Sequence, residues 1–244
     1  MNPRAALATS LRVLSQLRHD PRTVALIVGV PCVLVTLLKY VFEGRPQVFD
    51  RIGGPLLGLF PFTSMFVVTS ITMLRERTSG TLERLMTMPM AKLDLLLGYG
   101  GAFAIVAAVQ ASIVSGVALG LLGLHVASSA VWVLLLAVAN AVLGMSLGLF
   151  VSAFAASEFQ AVQFLPAFVF PQLLLCGLFV ARDQMARPLE LVSYAFPLTY
   201  AYDALRRVTR GHSGTWVAID VAVVLGTTLL ALGLGATTLR RRTS

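Results

Sequence analysis

The chain has 244 residues, of which 57% are hydrophobic and only 12% charged, with a net charge of +8. A soluble domain carries about 25% charged residues, so an ordinary globular core is excluded, and a mean hydropathy of +0.84 agrees. The apolar runs are continuous, which argues against an outer-membrane barrel and for an all-α polytopic membrane protein; basic residues cluster at the edges of those runs, as orientation signals do, which argues against nucleic acid as a partner.

From the amino end, Leu7, Leu11, Leu14 and Leu17 recur at helical spacing, with Arg12, Gln16 and His19 on the other face. This predicts an interfacial amphipathic helix within residues 1–21, lying on the cytoplasmic leaflet; a plain soluble tail is the alternative. Asp20-Pro21 breaks it before the membrane is entered. A helix crossing the hydrocarbon takes about 20 apolar residues. Six segments qualify, at about Thr23–Phe42, Ile52–Leu74, Leu93–Leu124, Ser129–Ala155, Phe159–Val180 and Trp216–Leu239. Lys39 lies near one end of the first, where its stem snorkels. Pro55 and Pro61 kink the second, and Pro166 and Pro171 lie inside the fifth. The third is long and must tilt or protrude. No cleavable signal peptide is evident before the first. Cys32 and Cys176 fall in separate spans and read as small buried hydrophobes.

Arg4, Arg12, Arg18 and Arg22 precede the first span; Arg75, Arg77, Arg84 and Lys92 lie between the second and third; Arg240, Arg241 and Arg242 follow the sixth. With six spans all of these share one side with both termini, and that side is the cytoplasm. Arg182, Arg187, Arg206, Arg207 and Arg210 dissent, falling outside in segment 181–214, where Asp183, Glu190 and Asp203 offset them in part. In that segment Pro197 can open a short helix and Gly211 close it. Leu198, Tyr202, Leu205 and Val208 share a face, and Asp203 and Arg207, four apart, can pair.

Apart from Lys39 and residues at span ends, the spans hold no ionisable side chain. A proton- or sodium-coupled carrier would normally need buried carboxylates, so the pattern favours an externally powered machine with an apolar or amphipathic cargo. Asn140, Gln163 and Gln172 are neutral polar residues at depth. They fit a cargo path, and they fit equally the interhelical hydrogen bonds that contribute about 0.6 kcal/mol each. Gly116 with Gly120, and Gly144 with Gly148, read as small-xxx-small packing faces. His19, His125 and His212 have no ligand spacing, so no metal site is implied. No G-x-x-x-x-G-K-[ST] loop is present, so the chain does not itself hold ATP in the usual way.

The polar island RERTSGTLERLMTMPM, from Arg75 to Met90, forms with Lys92 a cytoplasmic loop over 75–92. Gly80 can start a short helix, Thr81 to Met86, with Glu83 in the first turn, where a carboxylate suits the dipole, and Pro89 as its stop. Leu82, Leu85 and Met86 share one face; Glu83 and Arg84 point elsewhere. Such a face either docks in a groove of a soluble subunit or lies in the lipid interface.

RERTSGTLERLMTMP is similar to the loop signature of ABC-2 type exporter permeases, in which a charged pair precedes GTLE, an apolar pair and a Pro. FPQLLLCGLFVARDQMARPLELVSYAFPLTYAYDALRRVTRG resembles the same family from the fifth span through PLTY and DALR. The resemblance runs roughly from Arg4 to Gly211 and is nearest the branch that includes daunorubicin-resistance and nodulation-factor export permeases; Cys176 stands where relatives often carry Ser. It implies a single six-span transmembrane domain over 1–244, with an amino-terminal interfacial helix, a cytoplasmic coupling helix and short outer helices between spans five and six. It implies two permease subunits (a second copy or a close relative) and two ATPase subunits, with ATP and magnesium held by the ATPase and no cofactor in this chain. Gly80, Thr81, Leu82, Glu83, Arg84, Leu85, Met86 and Pro89 would then couple the permease to the ATPase. Pro197, Tyr200, Asp203, Arg206 and Arg207 would belong to an outer segment that caps the exit, as a passive lid or a moving gate. The expected function is the permease subunit of an exporter in a bacterial plasma membrane, moving a drug, antibiotic, lipid or glycolipid; a stand-alone channel or secondary carrier is the alternative.

Overall fold

The computed structural model describes residues 3–81 and 92–238, with helices and no strand among them. Helix α1 (Pro3–Arg18) ends just before Pro21, which opens α2 (Pro21–Val41). Asp20 caps α2, its carboxylate accepting from the Thr23 amide at 3.2 Å and the Thr23 hydroxyl at 2.6 Å. Helix α3 (Pro46–Thr78) carries Pro55 and Pro61 in its interior without ending there. Helix α4 (Lys92–Gly116) widens into a π-helical turn at Val117–Leu121, and α5 (Ala130–Val151) tightens into a 3₁₀ turn at Ser152–Phe154. Helix α10 (Thr215–Thr238) closes the chain of elements.

Five stretches are long and apolar enough to cross a membrane: Pro21–Val41, Pro46–Thr78, Leu97–Leu121, Ala130–Phe154 and Thr215–Thr237. The expected fifth span differs. It is a helix in pieces: α6 (Glu158–Phe164), a π-helical turn at Leu165–Val169, and α7 (Phe170–Leu175). Pro166 and Pro171 lack the N–H that an unbroken α-helix needs, and the wider turn between them absorbs the defect. Its ends are nevertheless tied to opposite ends of the bundle. Arg75, in the last turn of α3, bonds Glu158 at 2.7 Å. Beyond the other end, Arg182 bonds Asp203, on an element that packs beside Gly58 of α3. Gly58 and Arg75 are about 25 Å apart along α3 at 1.5 Å per residue, so the broken helix also runs the length of the bundle.

Helices α3 and α5 contribute to all three apolar core clusters, which stack from one end of the bundle to the other. Gly144 and Gly148 let them touch backbone to backbone: an added Cβ would stand 2.2 Å from the Phe62 carbonyl oxygen and 2.4 Å from that of Phe66. Thr69 Oγ1 then donates across to the Met145 carbonyl at 3.2 Å. Gly116 and Gly120 do not repeat this. Among the described residues nothing lies within 4 Å of a Cβ at either, so the packing role expected of them is not met within this chain: they face outward on α4 and its π turn.

Helix α1 lies against the amino-terminal part of α4, with Thr9 and Val13 buried, while Leu7 and Leu11 are exposed. Leu232 and Ala236 of α10 pack on the same cluster as Val13, so α1 and the far end of α10 share one end of the bundle. The outward sides of α2, α4 and α10 (Leu26, Val33 and Leu37; Ile105 and Val109; Leu229 and Leu230) are exposed and apolar, as a lipid-facing belt requires.

Candidate functional site

At the α1 end, α3 stops at Thr78, and the Ser79 amide bonds the Arg75 carbonyl at 2.9 Å. Gly80 follows with φ +71, a left-handed turn that glycine adopts without strain, and Ser79 Oγ meets Thr81 Oγ1 at 2.9 Å. Leu82, Glu83, Arg84, Leu85, Met86 and Pro89 lie outside the described residues. The two roots of that loop are held together. Arg12 of α1 donates to Glu76 of α3 at 3.4 Å and also to the Tyr99 hydroxyl of α4, its guanidinium lying over the Tyr99 ring. Ser10 Oγ donates to the Gly98 carbonyl at 2.7 Å, and Gly98 has no Cβ because Thr9 occupies that space. One amphipathic helix thus staples the end of α3 to the start of α4. The face that sequence periodicity assigned to water carries the stapling residue, Arg12. Glu76 is almost wholly buried, so removing Arg12 would leave a carboxylate without its compensating charge. Beside this staple α1, α2 and α3 line an open cleft of about 610 Å³, with Leu26, Ile27, Val67 and Ile71 in its walls and Asp20 and Glu76 among its polar lining.

Midway, the three polar residues singled out from the sequence do not converge. Asn140 of α5 is buried against Gly58, whose missing side chain leaves room for the amide, and its Nδ2 has no hydrogen-bond partner among the described residues. Gln172 of α7 is buried and donates to the Phe168 carbonyl of its own helix at 2.9 Å. Gln163 of α6 is exposed. A fourth, Gln110, escapes notice in an apolar run. It is fully buried and donates to the Ile27 carbonyl at 2.7 Å, tying α4 to α2. The signal that could have found it is its placement, a large amide in the middle of a span whose other polar residues nearby, Ser112 and Ser115, are small.

At the opposite end a 3₁₀ turn at Arg182–Gln184 leads to α8 (Arg187–Ser193) and α9 (Pro197–Thr209). Pro197 opens α9, and Leu198, Tyr202, Leu205 and Val208 form its buried face, as their spacing predicts. Gly54 of α3 lies against Thr209 and Gly58 against Leu205, so α9 is pressed into the bundle and does not lie loosely on it. The Tyr200 hydroxyl donates to the Tyr194 carbonyl at 2.9 Å and joins α9 to the end of α8. The expected Asp203–Arg207 pair is replaced. Asp203 takes Arg182, from the 3₁₀ turn, and stands 3.6 Å from Arg206, while Arg207 turns to Asp220 of α10 at 3.4 Å. The reason is burial: Asp203 and Asp220 are both enclosed and each needs a cation from its own side. Asp220, in the second turn of α10, is thus a buried carboxylate that a reading by span ends passes over.

A family model described as ABC-2 type transporter matches residues 5–209. The chain is 24% identical over 187 residues to ABC transporter G family member 20 of Dictyostelium discoideum, a match covering 74% of this chain and 26% of that protein. It is 26% identical over 156 residues to the probable multidrug ABC transporter permease YbhR of Escherichia coli K12, covering 63% of this chain and 42% of that protein. The chain therefore spans between about a quarter and two fifths of the length of these curated relatives.

Proposed function

Because this chain belongs to the ABC-2 type transporter family, we propose that it is the permease subunit of an ATP-powered exporter. On this reading the α1 end faces the cytoplasm, and two permease chains assemble with two ATPase subunits that hold ATP and magnesium. The cargo is apolar or amphipathic and leaves across a bacterial plasma membrane. The observation that carries the reading is the staple at the α1 end. The loop that follows Gly80 springs from two helix ends that Arg12, Ser10 and Thr9 hold together. A push on such a loop is delivered into α3 and α4 and is not lost in slack. Coupling would run through Gly80 to Pro89, with the apolar side of that segment in a groove of the ATPase.

The gathering of Arg4, Arg12, Arg18, Arg22, Arg75 and Arg77 at this end supports its cytoplasmic side. The cleft beside the staple has the volume of a small-molecule site, and the name of the E. coli relative points the same way; both support an amphipathic cargo. At the far end, Pro197, Tyr200, Asp203, Arg206 and Arg207 belong to the lid over the exit, where ion pairs join the turn beyond the broken helix to α9, and α9 to α10. Asn140 and Gln172 act as packing groups on this reading.

ATP-dependent uptake of a fluorescent lipophilic dye into inside-out vesicles tests the proposal. Uptake is expected only when this chain and its ATPase are expressed together. Equal uptake from the chain alone would contradict it.

A further inference from the structure

The carboxyl end of α9 and the first turn of α10 enclose a pocket of about 340 Å³ lined by Arg206, Arg207, Arg210, His212, Ser213 and Trp216. Four guanidiniums, counting Arg182 behind it, face two carboxylates. Asp203 is engaged by Arg182 and lies 3.6 Å from Arg206, beyond hydrogen-bond reach. Arg207 Nη1 and Asp220 Oδ2 stand 3.4 Å apart, and neither of these buried atoms makes a hydrogen bond among the described residues. Arg210 is exposed and forms no ion pair among the described residues. Each guanidinium carries five N–H donors and no acceptor, so the pocket is rich in donors and short of acceptors.

The helix dipole does not account for this. A helix carboxyl end carries about half a negative charge, which one arginine answers; α9 places three in and just after its last turn. Nor does membrane orientation, because these arginines sit at the end opposite the main basic cluster. Trp216, beside which Arg207 packs with its charge 5.7 Å from the ring centroid, stands at the start of the last span. That is the depth of lipid headgroups, where indole rings concentrate. What is missing is a compact anion with several oxygen acceptors, presented at that depth.

We propose that this pocket binds a phosphate group, that of an anionic membrane lipid, with Arg207 and Arg210 as its forked donors. The site depends on the depth of the pocket and not on which side of the membrane it faces.

The test uses the full chain purified in a neutral detergent. It is mixed with phosphatidylglycerol or with phosphatidylcholine of the same acyl chains, and lipid retention is read by native mass spectrometry. One phosphatidylglycerol per chain is expected, in clear excess over phosphatidylcholine, whose phosphate is accompanied by a choline cation that the arginines repel. R207Q/R210Q should lower that retention at least a hundredfold, since two charge-assisted contacts are lost. R210K, which keeps the charge but loses the fork, should fall between the parent and the double variant. R187Q, which removes an exposed arginine outside the pocket, should change nothing. Displacement by millimolar inorganic phosphate would assign recognition to the phosphate group alone, from either source; no displacement would assign it to the lipid. Equal retention of the two lipids, or phosphatidylglycerol binding untouched in R207Q/R210Q or in R210Q alone at the parental melting temperature, overturns the proposal.

Discussion

Gly144 and Gly116 read alike in the sequence, each the first of a glycine pair four apart within an apolar helix, and the structure gives them opposite roles. A Cβ at Gly144 would stand 2.2 Å from the backbone oxygen of Phe62, which can move only by shifting a whole helix, whereas a Cβ at Gly116 would meet nothing within 4 Å. Gly144→Ala is therefore expected to cost roughly 1–3 kcal/mol by overpacking. Gly116→Ala should be neutral or stabilising by up to about 1 kcal/mol, because alanine is the better helix former. Melting temperatures of the two variants in detergent decide the matter; equal losses would contradict the assigned packing. The same limit on legibility governs the charged residues. Spacing along one helix suggests Asp203 with Arg207. The partner that wins, Arg182, lies 21 positions away and is brought close only by the path of the broken helix. Local pattern reports which residues share a face, not which face meets which neighbour.

Among the elements, α1 shows how far periodicity reaches. The leucine stripe is split: Leu7 and Leu11 are outward, as lipid contact requires, whereas Leu14 packs against the core and Leu17 is half-buried. The opposite face was legible only as polar, and it turns out to be the docking face, because Thr9, Ser10 and Arg12 find their partners on α3 and α4. Val13 is the apolar centre of that contact, 3% exposed. Burying a valine contributes about 1.5–3 kcal/mol. Val13→Asp should therefore free α1 from the bundle without touching a span. A single cysteine at position 9, in a background lacking Cys32 and Cys176, is expected to be protected from a soluble maleimide in the parent. In Val13→Asp it should react at least tenfold faster; continued protection would mean that α1 is held by something other than this face. The broken helix α6–α7 was legible in part. Pro166 and Pro171 announced a defect, but a π turn that keeps the helix running past two prolines depends on neighbours that supply packing after the local hydrogen bonds are lost.

For the whole molecule, composition alone gave the class, because so few charges leave a chain of this length no soluble alternative. The passage of six elements between two ends, with α1 and the end of α10 together, follows from the ion pairs and core clusters described above. It supports a topology in which position 79 and position 213 face opposite sides. Single cysteines at these positions, in the cysteine-free background, are expected to label from an impermeant reagent in intact cells at 213 and not at 79. Labelling at 79 would reverse the proposed orientation.

The central claim is that the segment after Gly80 couples this permease to an ATPase, and the double variant Leu82→Asp/Leu85→Asp tests it most directly. Each leucine, if buried in an ATPase groove, contributes roughly 1.5–3 kcal/mol, so the pair is worth a loss of at least a hundredfold in affinity. The staple of Arg12 on Glu76 and Tyr99, and every span, is left intact by the change, so insertion and melting temperature should match the parent. The measurement is co-purification of the co-expressed ATPase with the full chain, together with ATP-dependent dye uptake in the same vesicles. The account predicts that the ATPase is lost from the complex and uptake with it, while the permease remains in the membrane at parental levels. A variant that still assembles and transports as the parent does would contradict it.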